Sequence, residues 1–443
     1  MQLELFNLED YKNPPIQLED VFQAYFDCRK NKRSTYNALA FETNYEENLV
    51  MLWKEIVSGK YNPGRSIAFI VTKPVKREVF AADFRDRVVH HLIANKILPL
   101  LENRFIDDTY SCRNGKGTMF GVKRIAHFIE ECSEHYTRDC YILKLDIKSF
   151  FMSMDKNILY KKLAALLDES YNYPDKKLLK ELIYKTIFNN PEKNCIIKGK
   201  RSDWKDLPHE KSLFFVPKNK GLPIGNLTSQ LFANYYLNDF DHFVKNICNA
   251  EYYGRYVDDF VVVHTDKKFL LDLIPKIKSY LKDNLLLTLH PKKIYLQHYS
   301  KGVKFIGAVA KPDRTYVANR TKGNFYEKLT SFNKLIHEDK NNAINNAEHF
   351  VATVNSYLGF MIHYSTYKIR RKLIFEKIDP LWRECLIFDD KFAKVRLKNM
   401  YKESFKQQMK LRKQRKNRKR NAKKRKKSNV LDFVAKAQLN PFV

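Results

Sequence analysis

The most informative segment of this chain is Glu251-Tyr-Tyr-Gly-Arg-Tyr-Val-Asp-Asp-Phe-Val-Val-Val-His264. Aromatic and β-branched residues on both sides of Asp258 and Asp259 predict two strands that meet at a tight turn, with the carboxylates at the turn. Neighbouring carboxylates on a largely apolar hairpin repel each other, so they are tolerated mainly where cations neutralise them. A lone Asp-Asp pair is more often a solvated turn.

A third aspartate, Asp146, lies about a hundred residues upstream and reverses those odds. It follows the strand-like run Cys140-Tyr-Ile-Leu-Lys-Leu145 and opens Asp146-Ile-Lys-Ser-Phe-Phe151, after which the spacing predicts a helix through Tyr160 and Leu163. Phosphoryl transfer with two metal ions needs cations about 3.5–4 Å apart, and three carboxylates with one backbone carbonyl suffice to hold them. The three aspartates therefore predict a polymerase-like metal site.

Three segments resemble motifs of the reverse transcriptase family and occur in the family's order. Asp146 to Phe151 matches the first catalytic motif, Gly221-Leu-Pro-Ile-Gly-Asn-Leu-Thr-Ser-Gln230 the template-and-nucleotide motif, and Tyr256 to Asp259 the catalytic hairpin. The resemblance runs from about Trp53 to Tyr367. It implies an α+β right-hand polymerase with fingers, palm and thumb and an antiparallel palm sheet, which copies RNA into DNA from deoxyribonucleoside triphosphates.

The resemblance also implies roles for single residues. Two Mg²⁺ ions, with Mn²⁺ as an alternative, would be held by the side chains of Asp146, Asp258 and Asp259 and by the carbonyl of Ile147. Phe151 would be the steric gate, a ring beneath the incoming sugar that excludes a 2′-hydroxyl by clash. The alternative for Phe151 is ordinary packing in the hydrophobic core. At least one of Phe150 and Phe151 must have that role.

Ile224 departs from the commonest family pattern, which has glutamine between Pro223 and Gly225. We expect Ile224 and Gly225 to contact the nucleotide. Loss of one polar contact can forfeit about 1 kcal/mol or more of discrimination between correct and incorrect nucleotides, so we also expect reduced fidelity of synthesis. A neutral packing choice is the alternative. This variant, with Phe84-Arg-Asp-Arg-Val-Val-His-His91 and Cys112-Arg-Asn-Gly-Lys-Gly-Thr118, is similar to reverse transcriptases of diversity-generating retroelements and of prokaryotic antiphage defence.

Basic residues supply the candidate contacts to the triphosphate. Lys73 and Arg77 lie where the family's fingers carry such cations, with Arg85 and Arg87 as further candidates, since a triphosphate demands neutralisation. Within His290-Pro-Lys-Lys-Ile294, the resemblance implies that one lysine protonates the departing pyrophosphate. The candidates for this general acid are Lys292 and Lys293. A solvated basic surface is the alternative for each of these residues.

Nucleic-acid contacts are expected from the motifs and from a basic tail. The expected residues are Gln230, Tyr256 and Val257 in the motifs and Lys410, Arg412, Lys413, Arg415 and Lys416 in the tail. Thirteen of the 18 residues from Lys410 to Lys427 are Lys or Arg and none is acidic, so self-repulsion should extend this tail. We interpret it as an RNA tether, with a nuclear-import signal as the rival. Gly302-Val-Lys-Phe-Ile-Gly-Ala308 resembles the hairpin that grips the primer.

Composition agrees with an anionic partner. The chain has 443 residues, 44% of them hydrophobic, which is enough for a large core and about three domains. The formal net charge is +31 and the pI near 9.6, which favours nucleic acid through counterion release. The seven cysteines include no Cys-x-x-Cys pair, and no stretch predicts a membrane span or a signal sequence. We therefore expect a soluble cytoplasmic protein.

The expected organisation follows the polymerase hand. The predicted parts are a helical lead-in (1–52), fingers (53–135), a palm (136–310) with an insertion at about 171–216, a helical thumb-like region (320–400), and the basic tail with a terminal segment (401–443). The insertion could contact template RNA or a partner protein, or be a surface loop that carries a helix.

The sequence thus predicts an RNA-directed DNA polymerase with a noncoding RNA template, a cDNA product, and an accessory protein or homo-oligomer as further partners. Antiphage defence and a diversity-generating retroelement are the two biological settings. Two alternatives stay open: an RNA-binding scaffold of polymerase fold that has lost turnover, and template-independent or protein-primed DNA synthesis.

Overall fold

The computed structural model describes residues 14–30, 35–72, 75–339, 342–343 and 346–399. The described residues divide into two compact units, one that ends at Asp313 and one that begins at Arg314. Within the described ranges, every helix is too short or too polar to cross a lipid bilayer.

The first unit combines helices with two sheets and a separate hairpin. Its α-helices are α1 (Leu18–Arg29), α2 (Tyr36–Glu42), α3 (Tyr45–Val57), α4 (Phe84–Glu102), α5 (Thr118–Cys132), α6 (Phe150–Ser153), α7 (Lys156–Ser170), α8 (Lys176–Ile187), α9 (Leu227–Tyr236), α10 (Asn238–His242) and α11 (Lys267–Leu285). Its strands are β1 (Ser66–Val71), β2 (Arg77–Ala81), β3 (Tyr141–Asp146), β4 (Cys195–Ile197), β5 (Tyr252–Tyr256), β6 (Asp259–His264), β7 (Tyr295–His298), β8 (Val303–Phe305) and β9 (Ala308–Lys311).

The central sheet has the strand order β5-β6-β3-β7, and every neighbouring pair is antiparallel. β5 and β6 form the hairpin that the alternation of aromatic and β-branched residues predicts. In the β3–β6 register Asp146 lies opposite Asp259, and in the β5–β6 register Tyr256 lies opposite Asp259. The predicted α+β class with an antiparallel sheet is confirmed.

Both faces of the central sheet are covered, because side chains alternate along each strand. Leu143 and Phe260 belong to the main core, to which helices α1, α3, α4, α7, α8, α9 and α11 contribute. Ile142 and Val261 pack in a second core with Phe128 of α5. By the same alternation, the even-numbered residues of β3 lie on the α5 face of the sheet.

A smaller sheet has the order β2-β1-β4, in which β1 is antiparallel to β2 and parallel to β4. The Phe80 N–H in β2 donates to the Ile224 carbonyl at 2.9 Å, which fastens this sheet to the loop before α9. β8 and β9 form the antiparallel hairpin expected around residues 302–308. Its turn residues Ile306 and Gly307 both have positive φ, 47° and 83°, as the twist of a tight hairpin requires.

The interval predicted as an insertion, residues 171–216, has two different halves. α8 packs into the main core through Leu179, Leu182 and Ile183, so this half is a core helix rather than surface decoration. Residues 188–216 contain short 3₁₀ turns and the three-residue strand β4.

The second unit is mainly helical. Its elements are β10 (Arg314–Val317), α12 (Asn319–Glu338), α13 (Ala347–Met361), α14 (Tyr367–Lys372), α15 (Pro380–Glu384), β11 (Leu386–Phe388) and β12 (Val395–Leu397). The buried Trp382 ring stacks on Phe350 at 4.2 Å, and its indole N–H donates to the Phe332 carbonyl at 3.0 Å. Helices α12 to α15 lie in the interval predicted as a helical thumb-like region, and that assignment stays a prediction.

A buried ion pair lies beneath the β5–β6 hairpin. The Arg255 guanidinium donates to both carboxylate oxygens of Asp241, at 2.6 and 2.5 Å, and both side chains are fully buried. The Tyr253 hydroxyl also donates to Asp241, at 2.6 Å. Arg255 further donates to the carbonyls of Val257 at 2.9 Å and Asn234 at 3.2 Å, so it connects the hairpin turn to α9 and α10.

Removing one member of this pair should destabilise the first unit strongly. Asp241→Ala leaves a buried, uncompensated guanidinium, and we expect it to lower the free energy of unfolding by about 3–5 kcal/mol in chemical denaturation. The control is Glu169→Ala on α7, where a Glu169 carboxylate that is 64% exposed pairs at 2.6 Å with an Arg104 side chain that is 41% exposed; its cost should be at most about 1 kcal/mol. Equal losses for the two variants would contradict this prediction.

Candidate active site

Three carboxylates converge at one edge of the central sheet. Asp146 ends β3 directly opposite Asp259 at the start of β6, and Asp258 lies in the turn between β5 and β6. The Ile147 N–H donates to the Asp258 carbonyl at 3.2 Å, which holds the turn beside the end of β3. The aspartates that are separated by about a hundred residues in the sequence are therefore neighbours in the fold.

The hairpin turn is strained at Val257. Its φ is 56°, in the left-handed region that a β-branched side chain strongly disfavours. Such a conformation persists only where the surrounding structure holds it, and it is commonest at functional sites. Here the buried Arg255 guanidinium donates to the Val257 carbonyl, so the Arg255–Asp241 pair also fixes the turn that carries Asp258.

Two lysines partly neutralise the carboxylates. The Lys293 ammonium lies 2.8 Å from Asp146 Oδ2, and the Lys144 ammonium lies 3.0 Å from Asp259 Oδ1. Burial, with the negative charges of Asp146 and Asp259, raises the pKa of Asp258 to about 7. Burial also raises the pKa of Asp259, although Lys144 opposes this shift. Carboxylates that resist ionisation without cations are well suited to bind divalent ones.

Sequence reasoning missed Lys144, because it looks like the polar position of an apolar strand. Alternation places it on the same sheet face as Asp146. The register pairs Lys144 with Val261, two residues after Asp259, so Lys144 and Asp259 are diagonal neighbours that a long side chain can join. Its position two residues before Asp146 was the available signal, but that signal becomes informative only when the β3–β6 register is known.

A cavity of about 330 Å³ opens in front of the carboxylates. Arg77, Phe151 and Ile224 line it, so these three predicted nucleotide contacts lie together with the aspartates. Other lining residues include Val75, Lys76, Lys148, Ser149, Glu210, Lys211, His290 and Lys293. Phe150 is only 2% exposed and belongs to the main core, whereas Phe151 packs at the margin of that core. The sequence left open which phenylalanine is core, and the structure assigns that part to Phe150.

The segment 288–293 runs alongside the first motif. The His290 N–H donates to the Asp146 carbonyl at 2.8 Å, and the Lys148 N–H donates to the Thr288 carbonyl at 2.9 Å. This pairing brings Lys293 to Asp146. Burial opposes protonation of Lys293, but its hydrogen bond to Asp146 prevails and raises its pKa. Lys292, the other predicted general acid, is exposed and does not line the cavity.

Three motif residues lie at the edges of this site. Gly225, with a φ of 124°, lines a different cavity of about 860 Å³ rather than the one in front of the carboxylates. Gln230 accepts a hydrogen bond from the Cys112 thiol at 2.8 Å. Tyr256 is half-buried beside the turn. The expected nucleotide contact of Gly225 therefore does not follow from its position.

The two further arginine candidates are engaged elsewhere. Arg85 pairs with Glu55 and with Asp86, and Arg87 donates to the Ala82 carbonyl at 2.9 Å. Neither lines the cavity in front of the carboxylates. Several predicted contacts lie outside the described residues, namely Lys73, Lys410, Arg412, Lys413, Arg415 and Lys416.

The donor set fits divalent cations, because carboxylate and carbonyl oxygens are the hard ligands that such ions prefer. Within the described ranges, no three His, Cys, Asp or Glu side chains are already arranged as a metal cage. This agrees with the lysines that now bind Asp146 and Asp259. A metal ion would have to displace at least Lys293 to use the bound oxygen of Asp146.

Solved structures and curated proteins provide comparisons. Apo telomerase from Candida tropicalis gives a TM-score of 0.44 at 11% identity, covering 76% of this chain and 64% of that one. Telomerase from Candida albicans in complex with a fragment of telomeric RNA gives 0.41 at 12% identity, covering 76% and 62%. The chain therefore spans less than two thirds of each of these telomerase chains.

Sequence comparison is more direct. Protein YkfC of Escherichia coli (strain K12) is 21% identical over a match that covers 61% of this chain and 73% of that protein. The family model described as reverse transcriptase (RNA-dependent DNA polymerase) matches residues 76–310, which include all three converging aspartates. Because this match spans more than half of its residues, the chain belongs to the reverse transcriptase family of RNA-dependent DNA polymerases.

Proposed function

We propose that this protein copies an RNA template into DNA, using deoxyribonucleoside triphosphates and two divalent cations, with Mg²⁺ as the resident ion. The observation that carries the proposal is the convergence of Asp146, Asp258 and Asp259 at a cavity that is also lined by Arg77 and Phe151. Family membership supplies the reaction class, and this geometry supports the assignment of residues to it.

Asp146, Asp258 and Asp259, with the Ile147 carbonyl, are the proposed ligands of the cations. When bound, the cations would activate the primer 3′-hydroxyl and stabilise the charge of the triphosphate. The chain contributes the geometry: antiparallel pairing holds Asp146 opposite Asp259, and the Ile147–Asp258 hydrogen bond holds the turn beside them. Positioning of this kind provides most of the catalysis in phosphoryl transfer.

The cavity walls support roles in nucleotide selection. Arg77 is exposed at the cavity and can bind phosphate oxygens. Phe151 lines the same cavity as Asp146, and we assign it the role of steric gate, in which its ring would clash with a 2′-hydroxyl. Ile224 presents an apolar side chain to the cavity in place of the glutamine of the commonest family pattern, and we propose that reduced fidelity follows from this loss of a polar contact.

Lys293 is the proposed general acid for the departing pyrophosphate. Its ammonium is protonated and lies within the cavity, bound to Asp146 at 2.8 Å. It therefore lies beside a proposed metal ligand and lines the cavity that would receive the phosphates, where a donor is needed. Lys292 lacks this placement.

The wider proposal follows the polymerase hand and the charge of the chain. We assign residues 53–135 to fingers, 136–310 to the palm and 320–400 to the thumb, with the basic tail as an RNA tether. The net charge of +31 supports a polyanionic template, which we propose is a noncoding RNA. Antiphage defence or a diversity-generating retroelement is the proposed setting, in the cytoplasm of a prokaryote.

The first prediction concerns the metal ligands. Asp258→Ala should reduce RNA-templated primer extension at least about a hundredfold, while RNA affinity in a filter-binding assay stays within about twofold. Asp272→Ala, on the exposed face of α11, is the control and should retain full synthesis. Undiminished synthesis by Asp258→Ala would sink the assignment. Absence of synthesis in the unmodified protein, with RNA binding intact, would favour the scaffold alternative.

A second prediction addresses the steric gate. Phe151→Val should raise the use of ribonucleotides relative to deoxyribonucleotides by about tenfold or more, since it removes the ring that clashes with the 2′-hydroxyl. The quantity to measure is the ratio of kcat/KM for the two nucleotide types. Phe128→Val serves as the control, because Phe128 is buried in the second core and does not line the cavity, so this variant should lower stability without changing that ratio. Unaltered selectivity in Phe151→Val would assign this ring to packing alone.

A third prediction tests the lysine at Asp146. Lys293→Met should tighten Mn²⁺ binding by about tenfold in titration calorimetry, because it removes the cation that competes for Asp146. The same variant should synthesise DNA more slowly. Lys292→Met should change neither quantity. Weaker Mn²⁺ binding in Lys293→Met would show that Lys293 organises the site rather than competing with the metal.

A further inference from the structure

Part of the cavity wall comes from a segment that lies outside the three catalytic motifs. Residues 201–216 form short 3₁₀ turns, and this stretch is anchored by one buried carboxylate, Glu78 of β2. Glu78 accepts hydrogen bonds from Trp204 Nε1 at 2.6 Å, from Ser212 Oγ at 2.7 Å and from the Leu213 N–H at 2.6 Å. A carboxylate with three donors holds the segment in a defined position.

The chain that follows is also attached beside the first motif. The Gly221 N–H donates to the Met154 carbonyl and the Leu222 N–H to the Phe151 carbonyl, both at 2.8 Å. Within the segment, the His209 and Phe215 rings stack with their centroids 4.0 Å apart. These contacts fix the turn between His209 and Phe215, so the two charged residues Glu210 and Lys211 hold a defined position.

Those two residues, Glu210 and Lys211, line the cavity together with the three aspartates. The Glu210 carboxylate forms an ion pair with the Lys148 ammonium at 3.0 Å. Lys148 is the second residue after Asp146 and lines the same cavity. The Glu210 carboxylate is therefore bound to the Lys148 ammonium, and both residues line the cavity in front of the catalytic carboxylates.

This pair has little reason to exist for stability. The side chains of Lys148 and Glu210 are 43% and 49% exposed, and exposed ion pairs contribute little to folding. Glu78, in contrast, already anchors the segment through three buried or partly buried hydrogen bonds. Carboxylate and phosphate oxygens bind the same cations with the same geometry, so Glu210 occupies a place that a phosphate group could take.

We propose that Glu210 is a built-in competitor of the incoming triphosphate: it forms an ion pair with Lys148 that a polyphosphate must displace. The inference rests on the proposed function, since it presumes that the cavity receives a nucleoside triphosphate. Glu210 weakens the binding of every anion in this cavity, and the polyphosphate gains Lys148 as a partner when Glu210 leaves. The result is a higher KM for nucleotides without a direct part for Glu210 in the reaction.

The test measures the binding of inorganic tripolyphosphate to the full chain by titration calorimetry. Glu210→Gln keeps the size of the side chain and removes its charge, and it should bind tripolyphosphate about threefold to fivefold more tightly. Asp206→Asn is the matched control: Asp206 is an exposed acid of the same segment, does not line the cavity, and has a φ of 65° that asparagine also tolerates. It should leave the affinity unchanged.

A double-mutant cycle and steady-state kinetics complete the experiment. In a Lys148→Gln background the effect of Glu210→Gln should shrink, because the competed cation is gone. The nucleotide KM of Glu210→Gln should fall threefold to fivefold, with kcat within about twofold of the unmodified protein.

Equal or weaker tripolyphosphate binding by Glu210→Gln, or an equal gain by Asp206→Asn, would overturn the proposal. Lack of RNA-templated synthesis in the unmodified protein would instead refute the proposed function, because the tripolyphosphate titration does not depend on synthesis.

Discussion

Repulsion between Asp146 and Asp259 is the constraint on which the candidate site depends. The β3–β6 ladder places the two carboxylates directly opposite each other, an arrangement that destabilises a sheet unless positive charge compensates it. Lys293 and Lys144 supply positive charge to these two carboxylates. Burial, together with the negative charges of Asp146 and Asp259, raises the pKa of Asp258. The β3–β6 register therefore brings together carboxylates that repel each other, and the same arrangement favours the binding of cations.

The buried Arg255–Asp241 ion pair stabilises the turn that carries Asp258. Val257 holds a backbone conformation that its side chain disfavours, and the fully buried Arg255–Asp241 pair keeps it there. Arg255 also bonds to Asn234 of α9, the helix that starts within the template-and-nucleotide motif. The catalytic hairpin and that motif thus share one buried anchor. Displacement of either would disturb the other.

Local patterns made much of this fold predictable. The β5–β6 hairpin, α4, α9 and the strand that ends at Asp146 each have a periodicity that can be recognised without knowledge of the remaining chain. Lys144 was missed because its partner depends on strand register, and Asp241 because nothing near it in sequence signals a buried guanidinium. The insertion predicted at about residues 171–216 stays a prediction, and the packing of α8 into the main core depends on contacts that its own sequence does not reveal. Distant pairings of this kind emerge only from the assembled structure.

Glu78 has a mechanical consequence for the cavity. It lies on the same short strand as Arg77, and the neighbouring Phe80 N–H is bonded to the Ile224 carbonyl. The turns held by Glu78 therefore belong to one body with β2, and they do not form an independent flap. Widening the cavity at this wall would also shift Arg77 and Ile224. The size of the ligand that the cavity accepts is therefore coupled to the positions of the side chains that would contact it.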